Sequence, residues 1–175
     1  NRADLNSIRF GSMQLDAEDG LLMSSSKDGI LKFSADSFQS IYPALQKVNV
    51  LSFAKDKAMN RLWVGTEGDG LWFLEDSILR QVQYPPVQNA IIYDVFLDRK
   101  GALWVGSDGK GLSRFYQGKW QTFGTEQGLL SDKIYHISDG QKGKLWVCST
   151  EGLFSFRDGE FSELEQFSGV WVYKV

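Results

Sequence analysis

The chain is poor in most of the residues that build reactive sites. It has a single cysteine, Cys148, which excludes an intramolecular disulfide and any cysteine-based zinc cage. It has a single histidine, His136, and picking a Ser-His-Asp set from one histidine and many serines discriminates nothing. The alternating Asp/Asn loop with a distant Glu that binds calcium is missing, and no metal or organic cofactor is implied. Basic excess is missing too. The net charge is −3, both signs are interspersed, and no footprint for nucleic acid results. The apolar runs last only a few residues, which excludes a membrane span by this segment. The opening NRADLNSIRF lacks the basic-then-apolar pattern of a secretion signal.

What the chain has is a core-forming composition and a repeated phrase. Apolar residues make up 42% and aromatics 14% of 175 residues, enough for one domain with a packed interior. LWVGTEGDGLWFL at 62–74 returns as LWVGSDGKGLSRF at 103–115 and as LWVCSTEGLFSF at 145–156. Trp63, Trp104 and Trp146 fall 41 and 42 residues apart. One period earlier lies Leu22, inside the worn copy GLLMSSSKDGILKF. Tyr42-Pro43 and Tyr84-Pro85 repeat the spacing, each followed by a glutamine, Gln46 or Gln88. A fixed period of this length is the mark of a repeat architecture.

Within a repeat, four short apolar runs alternate with turn residues. In the third they are 90–97, 103–107, 112–116 and 120–123, separated by Asp98–Gly101, Asp108–Gly111 and Gln117-Gly118. Runs of this length, rich in β-branched and aromatic residues and without helical periodicity, read as strands. Four strands per unit of about 40 residues is the pattern of a β-propeller blade. Leu103-Trp-Val105 and Leu145-Trp-Val147 are apolar on both faces, as strands covered on both sides must be, whereas 120–123 and 160–164 alternate like outer strands with one wet face.

The expected fold is therefore all-β: one propeller segment over 1–175, with four four-stranded blades near 8–42, 48–83, 90–123 and 134–164. Residues 170–175, VWVYKV, are expected to begin a fifth blade. Neither end offers the outer strand with which propellers usually close, and an unclosed stack would expose the Trp/Leu face of its end blades. Three arrangements remain open: a piece of a longer array, closure through a partner copy, and a compact four-bladed ring.

The glycine stretches Gly65–Gly70 and Asp108–Gly111 lead into strands and not into a helix, so they are expected to be turns and not phosphate loops. Trp63, Trp104, Trp146, Leu71, Leu112 and Leu153 are expected to form the repeated core. Trp72, Trp120 and Trp171 fall off that consensus and are candidates for stacking on a ligand. Recognition should sit where blades differ. On the channel-lining first strands these places are Ser52, Asp94 and His136, with Tyr93 and Tyr135 beside them. On the loops entering blades 3 and 4 they are Asn89, Asp132 and Lys133, whose side chains suit sugar hydroxyls. The ligand candidates are thus Asn89, Tyr93, Asp94, Asp132, Lys133, Tyr135 and His136. Glu18-Asp19, Glu67, Asp69 and Glu126 lie in expected turns and form no catalytic pair.

FGTEQGLLSDKIYHISDGQKGKLWVCSTEGLFSFRDGEF resembles the two-component regulator propeller repeat. The matching positions are Gly128-Leu129, Ile134, Ile137, Asp139, Gly143, Leu145-Trp-Val147, Gly152-Leu153 and Phe156. Leu62–Leu71 and Leu103–Leu112 match in the second and third repeats, while Leu22–Ser25 replaces LWVG in the first and Cys148 replaces glycine in the fourth. The resemblance implies part of an array of about seven blades in the periplasmic sensor region of a bacterial hybrid histidine kinase or related signalling protein. It implies a non-enzymatic module that receives a small molecule or oligosaccharide and acts on downstream signalling domains or another propeller copy, with dimerisation as a route of output. A protein-interaction scaffold is the alternative. A propeller lyase or hydrolase is a further one, for which His136 would be the base.

Overall fold

The computed structural model describes residues 8–16, 20–35 and 37–175. Glu18-Asp19 lie outside them. Blade 1 consists of β1 (Phe10–Leu15), β2 (Leu21–Ser25), β3 (Gly29–Ser34) and β4 (Ser37–Ser40). Blade 2 comprises β5 (Val50–Asp56), β6 (Arg61–Thr66), β7 (Leu71–Glu75) and β8 (Ile78–Gln81). In blade 3 the strands are β9 (Ile92–Leu97), β10 (Leu103–Ser107), β11 (Leu112–Tyr116) and β12 (Lys119–Phe123). Blade 4 holds β13 (Ile134–Asp139), β14 (Leu145–Ser149), β15 (Gly152–Arg157) and β16 (Glu160–Glu163). Each blade is an antiparallel meander in chain order, and the helical segments are single 3₁₀ turns.

The patterning of each strand follows its place in the blade. β10 is buried at every residue because other blades or loops cover both its faces, while the outer strands β8 and β16 alternate exposed and half-buried. The core lies between blades. Leu22, Phe53 and Leu62 join blades 1 and 2; Trp63, Leu71 and Leu103 join blades 2 and 3; Trp104, Leu112 and Phe156 join blades 3 and 4. None of these clusters joins blade 4 to blade 1 among the described residues. Residues 170–175 carry no strand pairing of their own, although the Val172 N–H donates to the Ser149 carbonyl at 3.0 Å.

The repeated glycines are required by geometry. At Gly70 and Gly111 φ is +79° and +71°, and a Cβ would sit 2.4 Å from the Val87 carbonyl oxygen and 2.3 Å from that of Phe123. At Gly65 and Gly106 a Cβ would meet Ile92 Cγ2 at 2.6 Å and Ile134 Cγ2 at 2.9 Å, so the missing side chain lets the next blade's first strand approach. Cys148 stands at this position in blade 4, where it is buried against Val172 and Leu153.

The tryptophan of LWVG needs a partner for its indole. An aspartate in the turn between first and second strands supplies it: Trp104 Nε1 donates to Asp98 Oδ2 at 2.9 Å and Trp63 Nε1 to Asp56 Oδ2 at 3.4 Å. Asp98 Oδ1 also accepts the Lys100 and Ala102 N–H groups and so holds the turn. The corresponding residue of blade 4 is Gly140, and Trp146 is only half-buried there. Trp63 and Trp104 have 2% and 1% of their surface exposed, Leu71, Leu112 and Leu153 are also buried, and Trp146 is half-buried against Cys148, Leu153 and Val172.

Candidate functional site at the channel mouth

The first strands β1, β5, β9 and β13 line a concave channel, and a cavity of about 370 Å³ lies against them. The loops entering each blade meet the preceding blade's turn between second and third strands on one face of the propeller. Gly70 N–H donates to the Ala90 carbonyl at 3.0 Å and Gly111 N–H to the Asp132 carbonyl at 2.8 Å.

Each first strand carries a β-bulge near its start. Ser107 pairs with Ile92 and Gly106 with Asp94, leaving Tyr93 extra; Ser149 pairs with Ile134 and Cys148 with His136, leaving Tyr135 extra. A bulge frees a side chain from the ladder and re-aims it. Tyr93 and Tyr135 lie against each other, with ring centroids 4.8 Å apart at 45°. Trp171 stacks on Tyr135 at 5.7 Å and 27°, and Tyr173 lies 5.3 Å from the same ring. Trp171 and Tyr173 are 66% and 68% exposed. Beside this aromatic row, Lys133 Nζ pairs with Asp108 Oδ1 at 2.8 Å. Burial, with the Asp108 carboxylate next to it, pushes the Tyr93 phenol up, and the hydrogen bond to Asp108 holds the Lys133 ammonium up.

The polar residues that follow the bulges have another task. Asp94 Oδ2 accepts the Ile137 N–H of blade 4 at 2.8 Å, and His136 Nδ1 lies 3.0 Å from the same oxygen. Asp94 Oδ1 accepts the Ser52 hydroxyl at 2.9 Å and the Val95 N–H at 3.0 Å. One blade earlier, Ser52 Oγ accepts the Val95 N–H at 3.1 Å, and before it Ser12 Oγ accepts the Phe53 N–H at 3.2 Å. Ser12, Ser52 and Asp94 thus form a ladder in which each blade's side chain accepts an amide from the next blade's first strand. Blade-specific residue identity hid a role that repeats. Asp94 is spent on this ladder, and His136 on Asp94.

The other candidates separate in the same way. Asp132 Oδ1 accepts the Thr125 N–H at 3.0 Å and staples its loop, while exposed Asn89, at φ +53°, accepts from Gln81 Nε2 at 3.3 Å. Trp120 is stacked on Tyr84 at 5.0 Å and 13°, and Trp72 Nε1 donates to the Asp69 carbonyl, so both serve packing. The structure therefore gathers Tyr93, Lys133 and Tyr135 with Trp171. It assigns Asp94, Asp132 and His136 internal partners and leaves Asn89 on a separate loop. Asp108 and Tyr173 also belong to the cluster.

The order of the polar chain also bears on chemistry. Nucleophilic activation needs a histidine between the hydroxyl and the carboxylate. Here the carboxylate lies between Ser52 and His136, so the hydroxyl proton is directed at Asp94 and the order is not that of a Ser-His-Asp triad. Among the described residues, no three His, Cys, Asp or Glu side chains gather as a metal-binding group. No described helix is long and apolar enough to cross a membrane.

Residues 86–109 match the family model described as "Two component regulator propeller". No curated protein matches the chain. Among solved structures, the extracellular domain of BT4673 from B. thetaiotaomicron, described as a hybrid two component system, is 18% identical with a TM-score of 0.73. The match covers 92% of this chain and 22% of that one. The corresponding domain of BT3049 from the same organism is 19% identical with a TM-score of 0.65, over 90% of this chain and 21% of that one. Virginiamycin B lyase from Staphylococcus aureus, solved with quinupristin, is 12% identical with a TM-score of 0.69, over 93% of this chain and 57% of that one. The chain thus spans about a fifth of the signalling ectodomains it is similar to. Its fold is that of a β-propeller, and its similarity to the two component regulator propeller repeat lies at residues 86–109.

Proposed function

We propose that the chain is a non-enzymatic, ligand-receiving propeller segment of a periplasmic sensor region in a bacterial signalling protein, and that it takes a carbohydrate at the channel mouth. The observation that carries this reading is the row Tyr93–Tyr135–Trp171 beside the Asp108–Lys133 pair. Aromatic faces offer flat apolar area to the C–H faces of sugar rings, and a few fixed charged groups orient hydroxyls around them. Asn89 and Asp132 would act from the rim. Residues 170–175 are the first strand of a further blade in this reading, and the segment belongs to a longer array. Its output would be a change in the placement of a stiff stack against downstream signalling domains or a second propeller copy, with dimerisation as one route.

The similarity to a lyase keeps an enzymatic reading in view, with His136 as its base, but the Ser52–Asp94–His136 order is not that of a nucleophilic triad. A scaffold that binds protein through the exposed Trp171 and Tyr173 is the other reading. Isothermal titration against a panel of neutral and acidic oligosaccharides separates them. Saturable binding lost in Tyr135→Ala supports the sensor reading. A folded chain that binds no glycan in the panel sinks it.

A further inference from the structure

We propose a second binding site, for a carboxylate, in the cleft between blades 3 and 4 on the face opposite the channel mouth. The turns joining first to second and third to fourth strands enclose there a volume of about 90 Å³. Whole-ligand pockets are several times larger, so the cleft fits one headgroup with the rest of the molecule outside.

Arg114 of β11 lines it. Its Nε is buried and has no hydrogen-bond partner, and no carboxylate pairs with its guanidinium among the described residues. The group lies over Trp104 at 5.2 Å and Tyr116 at 4.8 Å, which hold it in place and leave its fork free. A buried guanidinium donor without an acceptor costs free energy.

The neighbouring blades show what is missing. Arg114 lies opposite Trp104, as Lys32 lies opposite Leu22 in blade 1, and there Lys32 is answered by Asp16 at 2.9 Å. In blade 2, Arg61 stacks on Trp63 and Phe73, and its Nε donates to Glu75 Oε1 at 2.8 Å. That bond holds the Glu75 carboxyl below its usual range. The residue of blade 3 corresponding to Glu75 is Tyr116, which supplies a ring and no carboxylate. Blade 3 therefore stacks an arginine on its tryptophan from the third strand, at the position of Phe73, and lacks the acid that answers Arg61 in blade 2.

The remaining charges of the cleft are mostly spent. Arg99 pairs with Asp139 at 2.9 Å and Arg157 with Asp158 at 3.3 Å, while Asp98 accepts from the Trp104 indole and two backbone amides. Lys100 on the rim forms no ion pair among the described residues and adds a second unanswered cation. The Glu75–Arg61 bond is the pattern for the contact, and a planar carboxylate fits an arginine fork bidentately.

The test uses the ¹⁵N-labelled chain and follows arginine Nε–H signals during titration with sodium acetate, sodium sulfate and sodium chloride at matched ionic strength. The Arg114 signal is identified by its loss in Arg114→Gln. With acetate it should shift saturably, with a Kd on the order of 10 mM for so small a probe, while other arginine signals follow the chloride control. Tyr116→Glu restores the acid of blade 2 within the chain. In that variant the Arg114 signal should start near its acetate-saturated position and respond no further. A shift no larger than with chloride overturns the site. Saturation by sulfate alone overturns the carboxylate assignment, and an undiminished acetate response in Tyr116→Glu overturns the role of Arg114.

Discussion

Asp94→Ala isolates the ladder that ties one blade to the next. Asp94 is 9% exposed, and its carboxylate accepts three hydrogen bonds, from Ser52 Oγ, Val95 N and Ile137 N, with His136 Nδ1 3.0 Å away. After truncation Val95 N–H keeps Ser52 Oγ, and the Ser52 hydroxyl and the His136 ring can turn to channel water. Ile137 N–H cannot, because its strand is packed between blades 3 and 4. One orphaned buried amide costs about 1–3 kcal/mol, and losing charge-assisted bonds adds to it, so the variant should lose about 3 kcal/mol. For a chain of this size that is a fall in Tm of about 6–12 °C. Asp94→Ser is the informative control, since Ser12 and Ser52 make the same inter-blade bond at 3.2 and 3.1 Å. It should fall within about 1 kcal/mol of the parent chain. Urea unfolding followed by tryptophan fluorescence gives both values, and amide exchange at Ile137 gives the local one. The reasoning fails if Asp94→Ser is as unstable as Asp94→Ala, or if Asp94→Ala is indistinguishable from the parent.

Further expectations concern the same architecture. Asp98→Ala removes the acceptor of the Trp104 indole and of two turn amides, and should cost about 2 kcal/mol in urea unfolding. Gly106→Ala places a methyl 2.9 Å from Ile134 Cγ2 and from the Ile134 carbonyl oxygen, so forced separation of blades 3 and 4 should cost about 1–3 kcal/mol. Burial pushes the Cys148 thiol up to about 11, and the Asp94 carboxylate adds to this. A chromogenic disulfide reagent at pH 8 should leave it unmodified in the native chain and label it on unfolding. Because the Tyr93 phenol is raised in the folded chain, its contribution to stability is present below the free-tyrosine pKa of about 10 and is lost as pH rises through the folded value. Alkaline unfolding of Tyr93→Phe should therefore lack that component.

The blades were legible because their physical demands recur. A doubly covered strand needs Leu-Trp-Val, and the turn after it needs glycine at positive φ; both conditions return with every unit. Even the worn first copy keeps the pattern, with Leu22 fully buried where later units place tryptophan. The site was legible only in part, because a varying residue need not have a varying task. Asp94 differs from Ser52 and Ser12 in charge, yet all three accept the same amide of the next blade. The side-chain-to-backbone bond crosses about 41 residues, and nothing local in the sequence reports it. The bulges that turn Tyr93 and Tyr135 out of the ladder are backbone events with no residue signature. Arg114 was not singled out because an arginine on a strand has no meaning until Glu75 of the preceding blade is seen to answer Arg61.

The most direct measurement is binding at the channel mouth with both faces under control. Oligosaccharide titrations are run on the parent chain, on Tyr93→Ala/Tyr135→Ala and on Arg114→Gln, each first shown to be folded by near-ultraviolet dichroism. A glycan that binds the parent, loses its affinity with the tyrosine pair and keeps a neutral-glycan affinity in Arg114→Gln is the expected result. A glycan whose affinity is unchanged by removal of both tyrosines would contradict recognition at the channel mouth.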